Sequence, residues 1–216
     1  MGLTDFSFTP SELVLLQGEF FAPEAQPKGG HQLLCSDLIV NGHHLAGMMT
    51  AAAILANEEE GAIDIEVRQQ NKGVFFTKQV SQLFIRPKGQ SPNWSGYTLE
   101  SAILFMAGQL FAQQGDTSVR NVLCSILMED RPEPWQKIIE FVEWGLASSN
   151  WLMPVEGDAA AAFQTPFICP EKVRELAFAQ PLDPIRRLLS NCKKNTPETW
   201  KLLLAEINQA LQDRKL

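Results

Sequence analysis

The residues predict a mainly α-helical protein with one or two β-hairpins, arranged as winged-helix-like modules in a helical bundle. Three observations predict it. Apolar residues recur at three- and four-residue spacing through most of the chain. One segment alternates strictly, with Ile63, Ile65 and Val67 against Asp64, Glu66 and Arg68, which is the period of a half-buried strand. Asn71-Lys72-Gly73 and a return rich in Phe, Val and Thr from Val74 to Ile85 then follow a helix and Gly61. Helix, glycine, strand, turn, strand is the order of a winged-helix module. The hairpin unit spans residues 1–96, and a helical unit with a second short hairpin spans 97–216, the two forming one compact domain.

The elements follow in order. Thr9-Pro10-Ser11-Glu12 opens the first helix, with Thr9 as cap, Pro10 at the first helical position and Glu12 closing a capping box. His31 to Val40 is short and apolar, and reads as helix. Asn41 caps the next helix, whose core face is Leu45, Met48, Met49, Ala52, Leu55 and Ala56 and which ends at Gly61. Glu58, Glu59 and Glu60 stand in its last turn, against the helix dipole. Thr98 caps a helix to Gly115, Ser118 caps another, and Pro134 precedes a third bearing Trp135, Ile138, Ile139, Val142 and Leu146. Trp151 to Val155 and Phe163 to Cys169 read as a second hairpin. Its end, Phe167-Ile168-Cys169-Pro170, echoes Phe84-Ile85-Arg86-Pro87, a hint of two related units. Helices over Glu171–Gln180 and Leu182–Asn191 and a last one opened by Thr196-Pro197 complete the chain.

Composition bounds the function. The chain has 216 residues and a net charge of −7, which disfavours nucleic acid as a general partner. The predicted helix before the hairpin has no Lys or Arg and ends in three glutamates, so DNA phosphates would repel it. No apolar run is long enough to span a bilayer, and the first residues lack the pattern of a secretory signal. The expected location is therefore cytoplasmic, with peripheral membrane association allowed. Cys35, Cys124, Cys169 and Cys192 are widely spaced with no CxxC pair, and are expected as free thiols without a zinc site. His43 and His44 are neighbours that point about 100° apart on a helix, which does not suit one shared metal. There is no GxSxG, HExxH, P-loop or GxGxxG motif. No enzyme activity, cofactor or metal is expected.

Charge is distributed unevenly. Val67 to Leu99 holds five of the 18 basic residues, Arg68, Lys72, Lys78, Arg86 and Lys88, and none of the 25 acidic ones. These five are the candidate anion-binding residues. Phe75 and Phe76 follow the predicted turn, and alternation turns one of them outward unless both faces are covered. Phe75, Phe76 and the loop residue Trp94 are the candidate membrane or partner contacts. The alternative is that the charges neutralise acids elsewhere and both Phe residues are core.

The stretch Gly42-His43-His44-Leu45-Ala46-Gly47-Met48-Met49, the helix that follows, Gly61 and Ile63-Asp64-Ile65 resemble the N-terminal core of the Golgi phosphoprotein family and its bacterial relatives, over about residues 3 to 90. The resemblance implies a mostly helical fold and a peripheral membrane adaptor that reads phosphatidylinositol 4-phosphate. This chain departs from the family at the headgroup ligands. The family's Arg falls on Ala46, and its basic residues near the helix end fall on Glu58 to Glu60. The expected function is thus a non-enzymatic adaptor or interaction protein whose basic hairpin meets an anionic membrane surface or an acidic protein. A small-molecule-binding regulatory protein with a helical pocket is the alternative, and a homodimer is compatible with either.

Overall fold

A computed structural model describes residues 3–5, 7–26, 30–36, 38–72, 78–89, 92–94, 96–127, 133–154 and 167–212, with the side chains of residues 5, 71, 72 and 78 left aside. Among these are eight α-helices and three two-stranded antiparallel sheets. The fold is mainly α with β-hairpins, as the periodicities predict.

Helix α1 (Pro10–Leu16) starts as its sequence dictates, with the Thr9 backbone N–H donating to Glu12 Oε2 at 2.7 Å. Segment His31–Val40 does not form a helix. It makes a small hairpin, β1 (Gly30–Gln32) with β2 (Ile39–Asn41). So short an apolar run carries no period that separates strand from helix. Asn41 then caps α2 (Gly42–Glu59), its side-chain oxygen accepting the His44 N–H at 2.8 Å. Gly42 lets the start of this helix lie against the Trp135 ring, which any Cβ there would strike.

Helix α2 is the axis of the molecule. The predicted single core face is too narrow a description. Thr50, Ala51, Ala53 and Ile54 are buried as well as Leu45, Met49, Ala52 and Leu55, while Met48 is half-buried. A helix apolar on all sides belongs at the centre of a bundle, and its many alanines leave room for neighbours. It is packed by α1, α3 (Leu99–Ala112), α5 (Pro134–Ser148), α7 (Asp183–Asn195) and α8 (Pro197–Leu211). Gly61, at φ 72°, ends it in a conformation that suits glycine. Helices α4 (Val119–Leu127) and α6 (Glu171–Ala179) complete the set. One core joins the two predicted units, since Leu99, Val119 and Leu203 belong to the same buried cluster as Leu13, Leu45 and Ile85.

The main hairpin pairs β3 (Ile63–Lys72) with β4 (Lys78–Pro87). Its strands run further than the alternation indicates, so Asn71 and Lys72 are in strand rather than turn, and residues 73–77 lie outside the described set. Of the second hairpin the described residues show β5 (Met153–Pro154) paired with β6 (Phe167–Ile168), and 155–166 lie outside the description.

The cysteines depart from expectation. Cys35, in the β1–β2 turn, and Cys169, before α6, form a disulfide with Cα atoms 5.7 Å apart. They are 134 residues apart in sequence, and nothing local signals their meeting. Cys124 and Cys192 are free thiols.

Candidate functional site

The register of the β3–β4 hairpin decides what its charges meet. Asp64 pairs with Arg86, Glu66 with Phe84, Arg68 with Gln82 and Lys72 with Lys78. Because strand residues alternate between faces, all these even-numbered positions belong to one face. Arg68 and Arg86 therefore share a face with Asp64 and Glu66. The base of the hairpin is docked. Ile63, Leu83 and Ile85 are fully buried, and the Ile85 N–H donates to the Thr117 carbonyl at 2.9 Å.

Acids on the same hairpin take up three of the five basic side chains. Arg68 donates to Glu66 Oε2 from Nε at 3.0 Å and from Nη2 at 2.6 Å, and its guanidinium lies 4.7 Å from the centroid of the Phe84 ring. Arg86 reaches Glu66 Oε1 at 3.4 Å, and Lys88 reaches Asp64 at 2.5 Å. These arginines hold the Glu66 carboxyl below its ordinary value. Asp64 and Glu66 sit just before the acid-free stretch, so a linear count of charge misses them. Cross-strand pairing restores them.

Lys72 and Lys78 are differently placed. They are direct partners in the backbone register, at the last described rung of the hairpin. Phe75 and Phe76 lie between them in sequence, outside the described residues. Trp94 is half-buried and tied inward, its indole N–H donating to Asn57 Oδ1 at 2.8 Å.

At the base of the hairpin a cleft of about 700 Å³ is lined by Glu58, Glu59, Glu60, Ile65, Arg187 and Cys192, among others. This gives the three glutamates a setting. Glu60 Oε1 accepts the Leu3 N–H at 2.7 Å, and burial pushes the Glu58 carboxyl above its ordinary value. Burial also pushes the Cys192 thiol up, away from the thiolate a nucleophile needs. The far wall comes from α7 and α8, too distant in sequence for any motif to have linked it to the glutamates.

Cys35, bonded to Cys169, offers no free thiol to the nearby His43 and His44 of the sequence. His31 Nε2 lies 3.6 Å from Glu143 Oε1. Burial lowers His31 to about 4, and burial with the charge of Glu140 raises Glu143 to about 7. Near pH 6 we read the contact as one between two neutral groups. Among the described residues no cluster of three His, Cys, Asp or Glu side chains is arranged for a metal, and no helix is long and apolar enough to cross a membrane. The chain matches no protein-family model, no curated protein and no solved structure, so the resemblance to the Golgi phosphoproteins rests on the residues quoted for it and on the mainly helical layout.

Proposed function

We propose that this protein is a non-enzymatic adaptor that contacts an anionic membrane surface with the tip of its β3–β4 hairpin. One observation carries the reading. The backbone register pairs Lys72 with Lys78 at the last described rung of a long hairpin, while Arg68, Arg86 and Lys88 are matched by Glu66 and Asp64. Two lysines opposed in this way repel, and an anion set near both relieves the repulsion. The residues between them read Gly-Val-Phe-Phe-Thr, which adds two aromatic side chains and no acid. Each Lys near an anionic leaflet contributes about 1 kcal/mol. The docked base gives such a tip a rigid support. In this reading the protein is peripheral to the membrane from the cytoplasmic side. The family resemblance favours the same class of function, with the tip in place of the missing headgroup ligands.

Vesicle flotation tests this. The chain is expected to float with phosphatidylserine vesicles and not with pure phosphatidylcholine, and Lys72→Glu with Lys78→Glu is expected to abolish flotation. Arg68→Glu with Arg86→Glu is expected to matter less. Failure of the wild type to float, or equal flotation of the Lys72/Lys78 variant, overturns the reading. Salt-sensitive capture by an acidic protein in place of vesicles would move the tip to the other partner class.

A second reading, a small-molecule-binding protein with a helical pocket, is favoured by the cleft at the hairpin base. Its volume of about 700 Å³ is within the usual range for ligand sites. A thermal-shift screen of metabolites tests it, with stabilisation lost when Arg187 is changed to Glu. The absence of any stabilising compound counts against it.

A further inference from the structure

A second, smaller cavity lies away from the hairpin tip. It has a volume of about 270 Å³, and its walls include Phe8, Glu12, Trp94 and Trp151. Its remaining lining residues are Leu3 and small polar side chains. Among the described residues that line it, Glu12 is the one ionisable side chain and none is basic.

The geometry points to a binding site for a small organic ammonium ion, held by the carboxylate of Glu12 and by the indoles of Trp94 and Trp151. The two kinds of group suit one ligand. An aromatic face attracts a cation through its quadrupole, most strongly for Trp and in a desolvated setting. A single carboxylate on the cavity wall supplies the counter-charge. An anion finds no donor of positive charge among the described lining residues, and a purely apolar molecule would leave the carboxylate without a counter-charge.

The walls are set in place before any ligand arrives. The Trp94 indole N–H is committed to Asn57 Oδ1 at 2.8 Å, and Asn57 Nδ2 in turn donates to the Ala53 and Glu100 carbonyls at 3.1 and 3.0 Å. A tryptophan from a loop is thus anchored on the central helix. Trp151 packs edge-on against Phe8, with ring centroids 5.0 Å apart and planes at 61°. Glu12 is 4% exposed, and its Oε2 accepts the Thr9 N–H at 2.7 Å. That bond and one from the Thr9 side chain use a fraction of the roughly four acceptor positions of a carboxylate, so capacity is left for a ligand.

The site is linked to pH. Burial, with a contribution from the neighbouring Glu100 carboxyl, raises Glu12 to about 7. Glu100, on α3, is the one charged side chain acting on it among the described residues. A cation binds the ionised form, so affinity rises as pH passes upward through about 7, and binding releases a proton.

The test uses the full chain, with choline chloride as probe and 3,3-dimethyl-1-butanol as its uncharged isostere, against matched sodium chloride. Binding is followed by calorimetry and tryptophan fluorescence near pH 8. Choline is expected to bind saturably, and the isostere at least about tenfold more weakly. Glu12→Gln, which keeps an acceptor for the Thr9 N–H, is expected to lose about tenfold or more, as is Trp94→Leu. Choline affinity near pH 5.5 should fall by about tenfold or more relative to pH 8. No saturable choline binding, or equal binding of the isostere, overturns the proposal on the wild type alone. A folded Glu12→Gln chain that binds choline as tightly as the wild type overturns it too. None of these readouts depends on the hairpin tip or on the cleft at its base.

Discussion

Ser11 gives the buried carboxyl of Glu100 two hydrogen bonds, one from its backbone N–H to Oε1 at 2.8 Å and one from its hydroxyl to Oε2 at 2.9 Å. The pair ties the first turn of α1 to the first turn of α3 across 89 residues. Glu100 is fully buried, and burial raises its carboxyl above the ordinary value. Glu100→Ala removes both acceptors, leaves the Ser11 N–H unpaired and opens a cavity. Its expected cost is about 3 kcal/mol. Glu100→Gln keeps one acceptor and the volume, and its expected cost is under about 1 kcal/mol. Urea denaturation separates the two. Equal stability of the Ala and Gln variants would show that the bonds contribute little.

Buried ionisable groups give the fold an unusual pH dependence. Glu12 ordinarily titrates near 4.5 and is raised to about 7 in the folded chain, as is Glu143. Between those values the folded state holds protons that the unfolded state has released. Each carboxyl therefore stabilises the fold fully below about 4.5 and loses that contribution as pH rises to about 7, by up to about 1.4 kcal/mol per pH unit. His31, lowered from 6.5 to about 4, has the opposite sign and favours folding as pH rises through that window. Two carboxyls outweigh one imidazole, so stability in urea is expected to be higher near pH 5 than near pH 8. Glu12→Gln should flatten the slope and be more stable than the wild type near pH 8 by about 2 kcal/mol. A wild-type profile that rises from about pH 5 to 8 contradicts this.

Much of the fold is legible in local sequence because local physics sets it. Thr9-Pro10-Ser11-Glu12, Asn41 and Thr98 are capping chemistry, and each starts a helix. Ile63-Asp64-Ile65-Glu66-Val67 has the period of a strand and forms one. The failures are tertiary. The span His31–Val40 becomes β1 and β2, and its turn carries Cys35 to Cys169, at a distance of 134 residues. The partners of Arg86 and Lys88 lie on the opposite strand, and the walls around Glu58–Glu60 and Glu12 come from distant segments. Spacing along the chain does not encode these meetings.

The disulfide yields a direct count. Chain denatured without reductant should titrate two thiols, Cys124 and Cys192, and four after reduction. Closing a loop this long restricts the unfolded chain strongly, and reduction is expected to cost about 2–5 kcal/mol. Four thiols in protein alkylated at cell lysis would show that the bond is absent in the cell, as a reducing compartment predicts. Two would place the chain in an oxidising one, and the cytoplasmic part of the proposed function would fall.

The outermost rung of the hairpin sets stability against binding. Lys72 and Lys78 are direct cross-strand partners, and like charges so placed weaken a hairpin. Lys78→Glu turns the repulsion into an opposite-charge pair and should strengthen that rung by about 0.2–1 kcal/mol. Amide exchange near the end of β3 and β4 should slow by up to about fivefold. Flotation with anionic vesicles should weaken sharply in the same variant, since a lysine is replaced by a repelled carboxylate. The two readouts must move in opposite directions if Lys78 is retained for an anionic surface at the expense of the hairpin. Slower exchange with flotation intact would make Lys78 a plain structural liability. Faster exchange would show that the repulsion inferred from the register is not felt. Arg86→Glu is the control. Arg86 shares the same face but reaches Glu66, and it faces Asp64 in the register. Charge reversal there adds repulsion at the hairpin base and speeds exchange, with a smaller effect on vesicles.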